Sequence, residues 1–209
     1  MIPLRTLYEF AREHEGHAED GIRLGRTRLG SYYCALCAKL TKDVDERKGF
    51  YLWGVFDRKR YWHNIYLGKA GFGKTSNLKE RICEELKDER AFLWRAFLDE
   101  SQLSKIRGSL HPGRNYTWRR PLKKWGATHI VWASAEWVED GAIRSIEADL
   151  IEALDPIANM QRPTPPSKHQ RHAAAIFEMF RHHIHDARHD KAVLSKSQQD
   201  ELSRHLGRL

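Results

Sequence analysis

Long hydrophobic runs are missing from this chain, and cysteine and proline are scarce. It has 3 cysteines and 7 prolines among 209 residues, and so few cysteines cannot build the disulfide framework typical of oxidising compartments. No uncharged run approaches the roughly 20 residues that cross a bilayer. The first residues, up to Glu9, contain no apolar signal segment. We therefore expect a cytoplasmic protein that makes no contact with a membrane.

Positive charge is what the sequence has in excess. Lys and Arg number 36 against 28 Asp and Glu, which gives a net charge of +8 at pH 7. A surplus of this size favours a polyanionic partner, most often nucleic acid. A protein with a generally basic surface would have the same composition, so charge alone does not decide between the two.

One basic stretch sharpens this expectation. Residues 107–125 interleave cations with Tyr116, Trp118 and Trp125, and cations beside flat rings are typical of nucleic-acid contacts. The alternative is a solvated basic loop over a packed tryptophan. We predict DNA contacts at Arg114, Arg119, Arg120, Lys123 and Lys124.

The cysteines allow one structural metal site. Cys34 and Cys37 follow His14 and His17, so four zinc ligands are available. Their spacing is unlike that of zinc fingers, and an apolar run surrounds the two cysteines. Two thiols packed on a helix are the preferred interpretation, and zinc binding is the alternative.

Periodicity divides the chain into three parts. Helices are predicted over 3–14 and 32–46, as an N-terminal extension covering 1–48. A core over 49–162 contains predicted strands at 49–56, 61–67 and 127–135 and a basic insertion at about 100–126. Two helices are predicted in it, one capped by Asn77 with Glu80 three residues on and one capped by Asp140. A polar, helical C-terminal extension follows over 163–209.

Glu147 is a carboxylate on the wrong side of its predicted helix. On a helical wheel of about 100° per residue it falls inside the apolar arc formed by the isoleucines and leucines around it, whereas Arg144, Asp149 and Glu152 fall on the solvent side. A buried carboxylate requires a compensating partner. A bound cation or a basic side chain would supply it, and a Glu at the rim that reaches solvent is the alternative.

Five short segments, in order, resemble the motifs of GIY-YIG nucleases. Gly49–Tyr51 and Ile65–Ala70 resemble the two namesake strands, the second in the form that excision-repair nucleases have. Arg81 lies in a segment similar to the helix with the family's arginine. Glu147 and Asn159 resemble the last two motifs, with Pro156 between them.

The resemblance covers about residues 49–160, and it has two departures. The family often has a His four residues after the arginine, where this chain has Glu85. The turn after Gly68 is also longer than usual.

This resemblance implies a fold and an activity. The fold is α+β, a small three-stranded antiparallel sheet flanked by helices, with helical N- and C-terminal additions and a site on one sheet face. The activity is that of a metal-dependent DNA endonuclease, a phosphodiester hydrolase. The length of the chain suits a restriction-type or phage-related enzyme, and homing or repair roles are the alternatives. An enzyme that cuts both strands would be expected to form a homodimer.

The resemblance also implies residue roles. Glu147 would be the metal ligand for one divalent cation, Mg²⁺, for which Mn²⁺ could substitute. Tyr51 or Tyr66 would orient or deprotonate water, with Lys69 as the nearby cation. Arg81 would bind the phosphate in a bidentate fork. Asn159 would position side chains by hydrogen bonding.

A second motif supports a different activity. Gly68–Thr75 matches the P-loop pattern G-x-x-x-x-G-K-[ST], between a predicted strand and a predicted helix. A P-loop nucleotide hydrolase or kinase is therefore the alternative function. It is disfavoured because the later strand lacks a terminal Asp for Mg²⁺ and because no repeated strand–helix alternation is present.

Overall fold

A computed structural model describes residues 1–17, 27–57, 59–73, 76–88, 126–159, 168–189 and 196. The N-terminal part contains β1 (Ile2–Pro3), α1 (Arg5–Glu13), a 3-10 turn (Glu15–His17) and α2 (Arg28–Leu40). The middle part contains β2 (Gly49–Phe56), β3 (Trp62–Ala70) and α3 (Leu78–Asp88). The last part contains β4 (His129–Ser134), a second 3-10 turn (Asp140–Ala142), α4 (Ile143–Leu154) and α5 (Gln170–Ala187).

The strands form one antiparallel sheet in the order β1-β4-β2-β3. The predicted combination of an antiparallel sheet with flanking helices is confirmed, but three strands is an incomplete count. β1 is a fourth strand, which pairs Ile2 with Ile130 and Pro3 with His129. Pro3 was predicted to lie in a helix, because a strand of two residues has no alternation to recognise.

The sheet separates two apolar cores, because successive side chains of a strand point to opposite faces. Tyr51 and Trp53 of β2 pack with side chains of α1, α2 and α3 on one face, called the α3 face. Phe50 and Leu52 pack with side chains of α4 and α5 on the other, called the α4 face. Helices from both predicted extensions thus bury apolar surface on the same sheet.

Local side-chain caps decide where two helices begin. Asn77 Oδ1 accepts a hydrogen bond from the Glu80 backbone N–H at 2.9 Å, as the capping pattern predicted, and α3 starts at Leu78. Thr27 likewise accepts from the Gly30 N–H at 3.0 Å and starts α2 at Arg28. The predicted start at residue 32 was therefore one turn too late.

The helix around Glu147 corrects two predictions. Its apolar arc is buried, as predicted. Asp149, predicted to face solvent, is only 8% exposed, and it lies beside the contact of α4 with α5. Asp140 does not cap this helix; its carboxylate accepts hydrogen bonds from the Gly73 N–H at 3.0 Å and from Lys48 at 3.3 Å.

Several predicted features lie outside the described residues. They include the basic insertion up to residue 125, most of the chain beyond residue 189, and the predicted DNA contacts Arg114, Arg119, Arg120, Lys123 and Lys124. No helix in the described part of the chain has both the length and the apolar character needed to cross a membrane.

Candidate active site

The hairpin of β2 and β3 places two predicted tyrosines side by side. The rings of Tyr51 and Tyr66 have centroids 6.5 Å apart. Tyr51 pairs in register with Gly68, and a Cβ atom at Gly68 would lie 2.2 Å from the Tyr51 Cζ. The absence of a side chain at position 68 therefore leaves room for the tyrosine ring that covers it.

A buried carboxylate links Tyr51 to Arg81. The Tyr51 hydroxyl donates to Glu85 Oε1 at 2.5 Å, and Arg81 Nη2 donates to the same oxygen at 2.8 Å. Glu85 is only 4% exposed. A charge buried to this extent is tolerated when it is both paired and hydrogen-bonded, and the guanidinium and the phenol provide both.

These contacts fix the protonation of Tyr51. Burial first, and then the negative charge of Glu85, raise the pKa of Tyr51 well above its ordinary value. At neutral pH the phenol is therefore a protonated donor. Tyr66 is partly exposed, which makes it the better placed of the two tyrosines to meet a water molecule.

On the other side of β3, Lys69 and Glu147 form an ion pair. Lys69 Nζ donates to Glu147 Oε2 at 2.5 Å, and the side chains are 33% and 13% exposed respectively. The helical wheel predicted that Glu147 requires a partner, and Lys69 is that partner. Lys69 pairs in register with Phe50 of the α4 face, and Glu147 belongs to α4. Tyr51 packs on the α3 face, and Arg81 belongs to α3. The expectation of a site on one sheet face was therefore wrong.

Asn159 binds the outer edge of β3. Its Oδ1 accepts from the Leu67 N–H at 2.8 Å, and its Nδ2 donates to the Leu67 carbonyl at 3.0 Å. The preceding Ala158 donates its N–H to the Ile65 carbonyl at 2.8 Å. Asn159 thereby holds the backbone of β3 at Leu67, next to Tyr66.

The donor set decides which metal could bind. The described residues contain no group of three or more metal-ligating side chains, so Glu147 would be a single carboxylate ligand. That set fits Mg²⁺, which keeps several waters and needs few protein ligands, and does not fit Zn²⁺. A cation at Glu147 would either share the carboxylate with Lys69 or displace Lys69 from it.

The alternative zinc site draws no support from the cysteines. Cys37 is fully buried on α2, and burial raises its pKa to about 12. It is packed among the apolar side chains of the α3 face, and the described residues contain no group of three or more metal-ligating side chains around it. The interpretation of packed cysteines therefore holds for Cys37, whereas Cys34 is only half-buried.

The P-loop-like segment does not have the geometry of a phosphate cradle in its described part. Gly68–Ala70 belong to β3, an edge strand of an antiparallel sheet, whereas a P-loop wraps a phosphate between a strand and a helix start. The Gly73 N–H is bonded to a carboxylate, that of Asp140. Lys74 and Thr75 lie outside the described residues.

Comparison of the chain with protein-family models, with curated proteins and with solved structures gives no match. The function is therefore inferred from the residues and contacts described above.

Proposed function

We propose that the protein is a metal-dependent DNA endonuclease of the GIY-YIG type, which hydrolyses phosphodiester bonds. The main support is that all the predicted catalytic side chains flank one strand. Tyr66 and Lys69 belong to β3, Arg81 lies on the α3 face, Glu147 lies on the α4 face, and Asn159 binds the strand's outer edge. The α3 face supplies charge for the phosphate and a group to orient water, and the α4 face supplies a ligand for a cation, so the DNA would have to contact both sides of β3.

Arg81 is suited to the phosphate. Its side chain is 41% exposed. A guanidinium has five N–H donors on three nitrogens, and one of these nitrogens, Nη2, bonds Glu85 at 2.8 Å. The remaining donors can form a bidentate contact with phosphate oxygens, which an arginine does better than a lysine.

Glu147 and Lys69 are suited to the cation and the water. A single, mostly buried carboxylate would hold Mg²⁺, and the bound Mg²⁺ would offset the charge that develops on the phosphate. Once the cation takes over part of its contact with Glu147, the Lys69 ammonium would stabilise negative charge on a nearby water or phosphate oxygen. Tyr66, which lies on the α3 face with Arg81, would orient the attacking water from that side of β3.

The biological setting belongs to the same proposal. The net charge of +8 suits a duplex with one negative charge per 1.7 Å or so of helix axis. We infer a cytoplasmic enzyme of the restriction or phage-related kind, which acts as a homodimer when it cuts both strands. A P-loop nucleotide hydrolase is the competing function, and the contacts of Gly68–Gly73 do not favour it.

The test is plasmid nicking by Glu147→Gln in Mg²⁺ and in Mn²⁺. Gln is nearly isosteric but lacks the charge that holds a cation, so cleavage should fall at least about 10²-fold while the fold survives. Glu152→Gln is the matched control, because Glu152 is exposed on the same helix. Near wild-type cleavage by a folded Glu147→Gln protein would rule out the site. Wild-type protein that hydrolyses ATP and leaves every tested DNA intact would favour the P-loop function.

A further inference from the structure

Glu85 is not among the residues assigned to the chemistry above, yet it is the most deeply buried carboxylate among the described residues. The groups that face it come from three elements. Tyr51 on β2 and Arg81 on α3 bond to Glu85 directly, and Tyr66 on β3 lies beside Tyr51, with ring centroids 6.5 Å apart. Oε1 of Glu85 accepts hydrogen bonds from both Tyr51 and Arg81.

A shared acceptor restricts both donors. The Tyr51 hydroxyl, whose proton is committed to Glu85 at 2.5 Å, cannot take a proton from water unless Glu85 accepts its own. The guanidinium is anchored by Nη2 at 2.8 Å, which removes much of the rotamer freedom of a long side chain that is 41% exposed. Both effects arise from one carboxylate rather than from separate contacts.

We propose that Glu85 is a positioning residue, which holds Tyr51 as a hydrogen-bond donor and orients Arg81 toward the scissile phosphate, so that water is left to Tyr66. In its catalytic part this inference rests on the nuclease function proposed above. The effect of Glu85 on the ionisation of Tyr51 does not depend on that function, and it can be measured without any cleavage.

The first test is cleavage by Glu85→Gln against Glu84→Gln. Gln can still accept both hydrogen bonds, but without charge, so kcat should fall about 10- to 100-fold while KM changes less than about threefold. Glu84 is the control, since it is 52% exposed and lies 3.8 Å from the same Arg81. Its variant should stay within about twofold of wild type.

Glu85→His separates positioning from simple packing. A neutral imidazole can accept a hydrogen bond from the Tyr51 hydroxyl, but an imidazolium cannot, so this variant should lose activity below about pH 6.5. Wild type and Glu85→Gln should show no such step. A role limited to filling space would produce no new acid limb in the pH profile of kcat.

The second test is a tyrosinate absorbance titration. Removing the negative charge in Glu85→Gln should let one more of the 7 tyrosines ionise at lower pH than in wild type, and the Tyr51→Phe substitution should abolish that extra step. Glu84→Gln should leave the curve unchanged.

The inference is overturned if Glu85→Gln titrates like wild type, or if it cuts with wild-type kcat and Glu85→His gains no acid limb. If no variant, wild type included, cuts DNA, the nuclease function fails instead. The titration still decides whether Glu85 controls Tyr51 in that case.

Discussion

Replacing Lys69 with Met would separate the structural role of the Lys69–Glu147 pair from its proposed role in metal binding. Met keeps most of the length of the side chain but leaves Glu147, which is 13% exposed, without its ammonium partner. Exposed ion pairs contribute about 0.2–1 kcal/mol, and breaking a fully buried pair costs about 3–5 kcal/mol. This half-buried pair lies between the two, so Lys69→Met should lower the free energy of unfolding by about 1–3 kcal/mol.

Mg²⁺ should restore that stability if Glu147 is the metal ligand. A ligand that binds only the folded state at ten times its Kd adds about 1.4 kcal/mol. The cation no longer has to compete with Lys69 in the variant, so it should raise the melting temperature of Lys69→Met more than that of wild type. For a chain of this size, 1 kcal/mol corresponds to about 2–4 °C.

The measurement is thermal melting with and without Mg²⁺ for wild type, Lys69→Met and Lys69→Met/Glu147→Gln. The double variant should melt at the same temperature in both buffers, because the carboxylate is gone. An equal Mg²⁺ shift in all three proteins would show that the cation binds elsewhere. No shift in any of them would refute the single-carboxylate site.

Two further predictions concern the site's surroundings. Gly68→Ala should lower the free energy of unfolding by roughly 1–3 kcal/mol, because its Cβ would lie 2.2 Å from Tyr51; Gly141→Ala, with nothing within 4 Å, is the control, and equal melting temperatures would contradict the assigned contact. Replacing the cations of the basic insertion with Ala should weaken DNA binding and reduce the log–log salt slope by about 0.9 for each phosphate of duplex DNA that the variant no longer neutralises. An unchanged slope in a filter-binding series would show that this segment does not touch the backbone. The substituted residues are Arg119, Arg120, Lys123 and Lys124.

Local patterns in the sequence predicted the central elements well. The aromatic and β-branched run at Gly49–Phe56 is a strand with the predicted bounds, and the Asn77 cap opens α3 as predicted. β3 was predicted to end at Leu67 but continues to Ala70. A glycine after an apolar run is typical of a turn, whereas Gly68 makes room for a ring from the neighbouring strand. Only the long-range pairing reveals that difference.

The site was predictable in its parts but not in its arrangement. The wheel showed that Glu147 needs a partner, yet Lys69 reaches it only through the packing of α4 on the sheet. Glu85 was missed, although a wheel of α3 places it within about 20° of Leu78 in the buried stripe. The same reasoning that singled out Glu147 would have identified it as a second buried carboxylate.

The contacts of Asn159 have a consequence for how copies of this protein can meet. An edge strand with free N–H and C=O groups is a template for pairing with another chain. Along β3 that template is occupied at Asn64, Ile65 and Leu67 by the segment that follows α4. The opposite edge, β1, is only two residues long and ends in Pro3, which has no N–H to donate. Neither the covered part of β3 nor β1 itself favours pairing with a strand from a second copy, so a homodimer of the proposed enzyme would have to join through other parts of the chain.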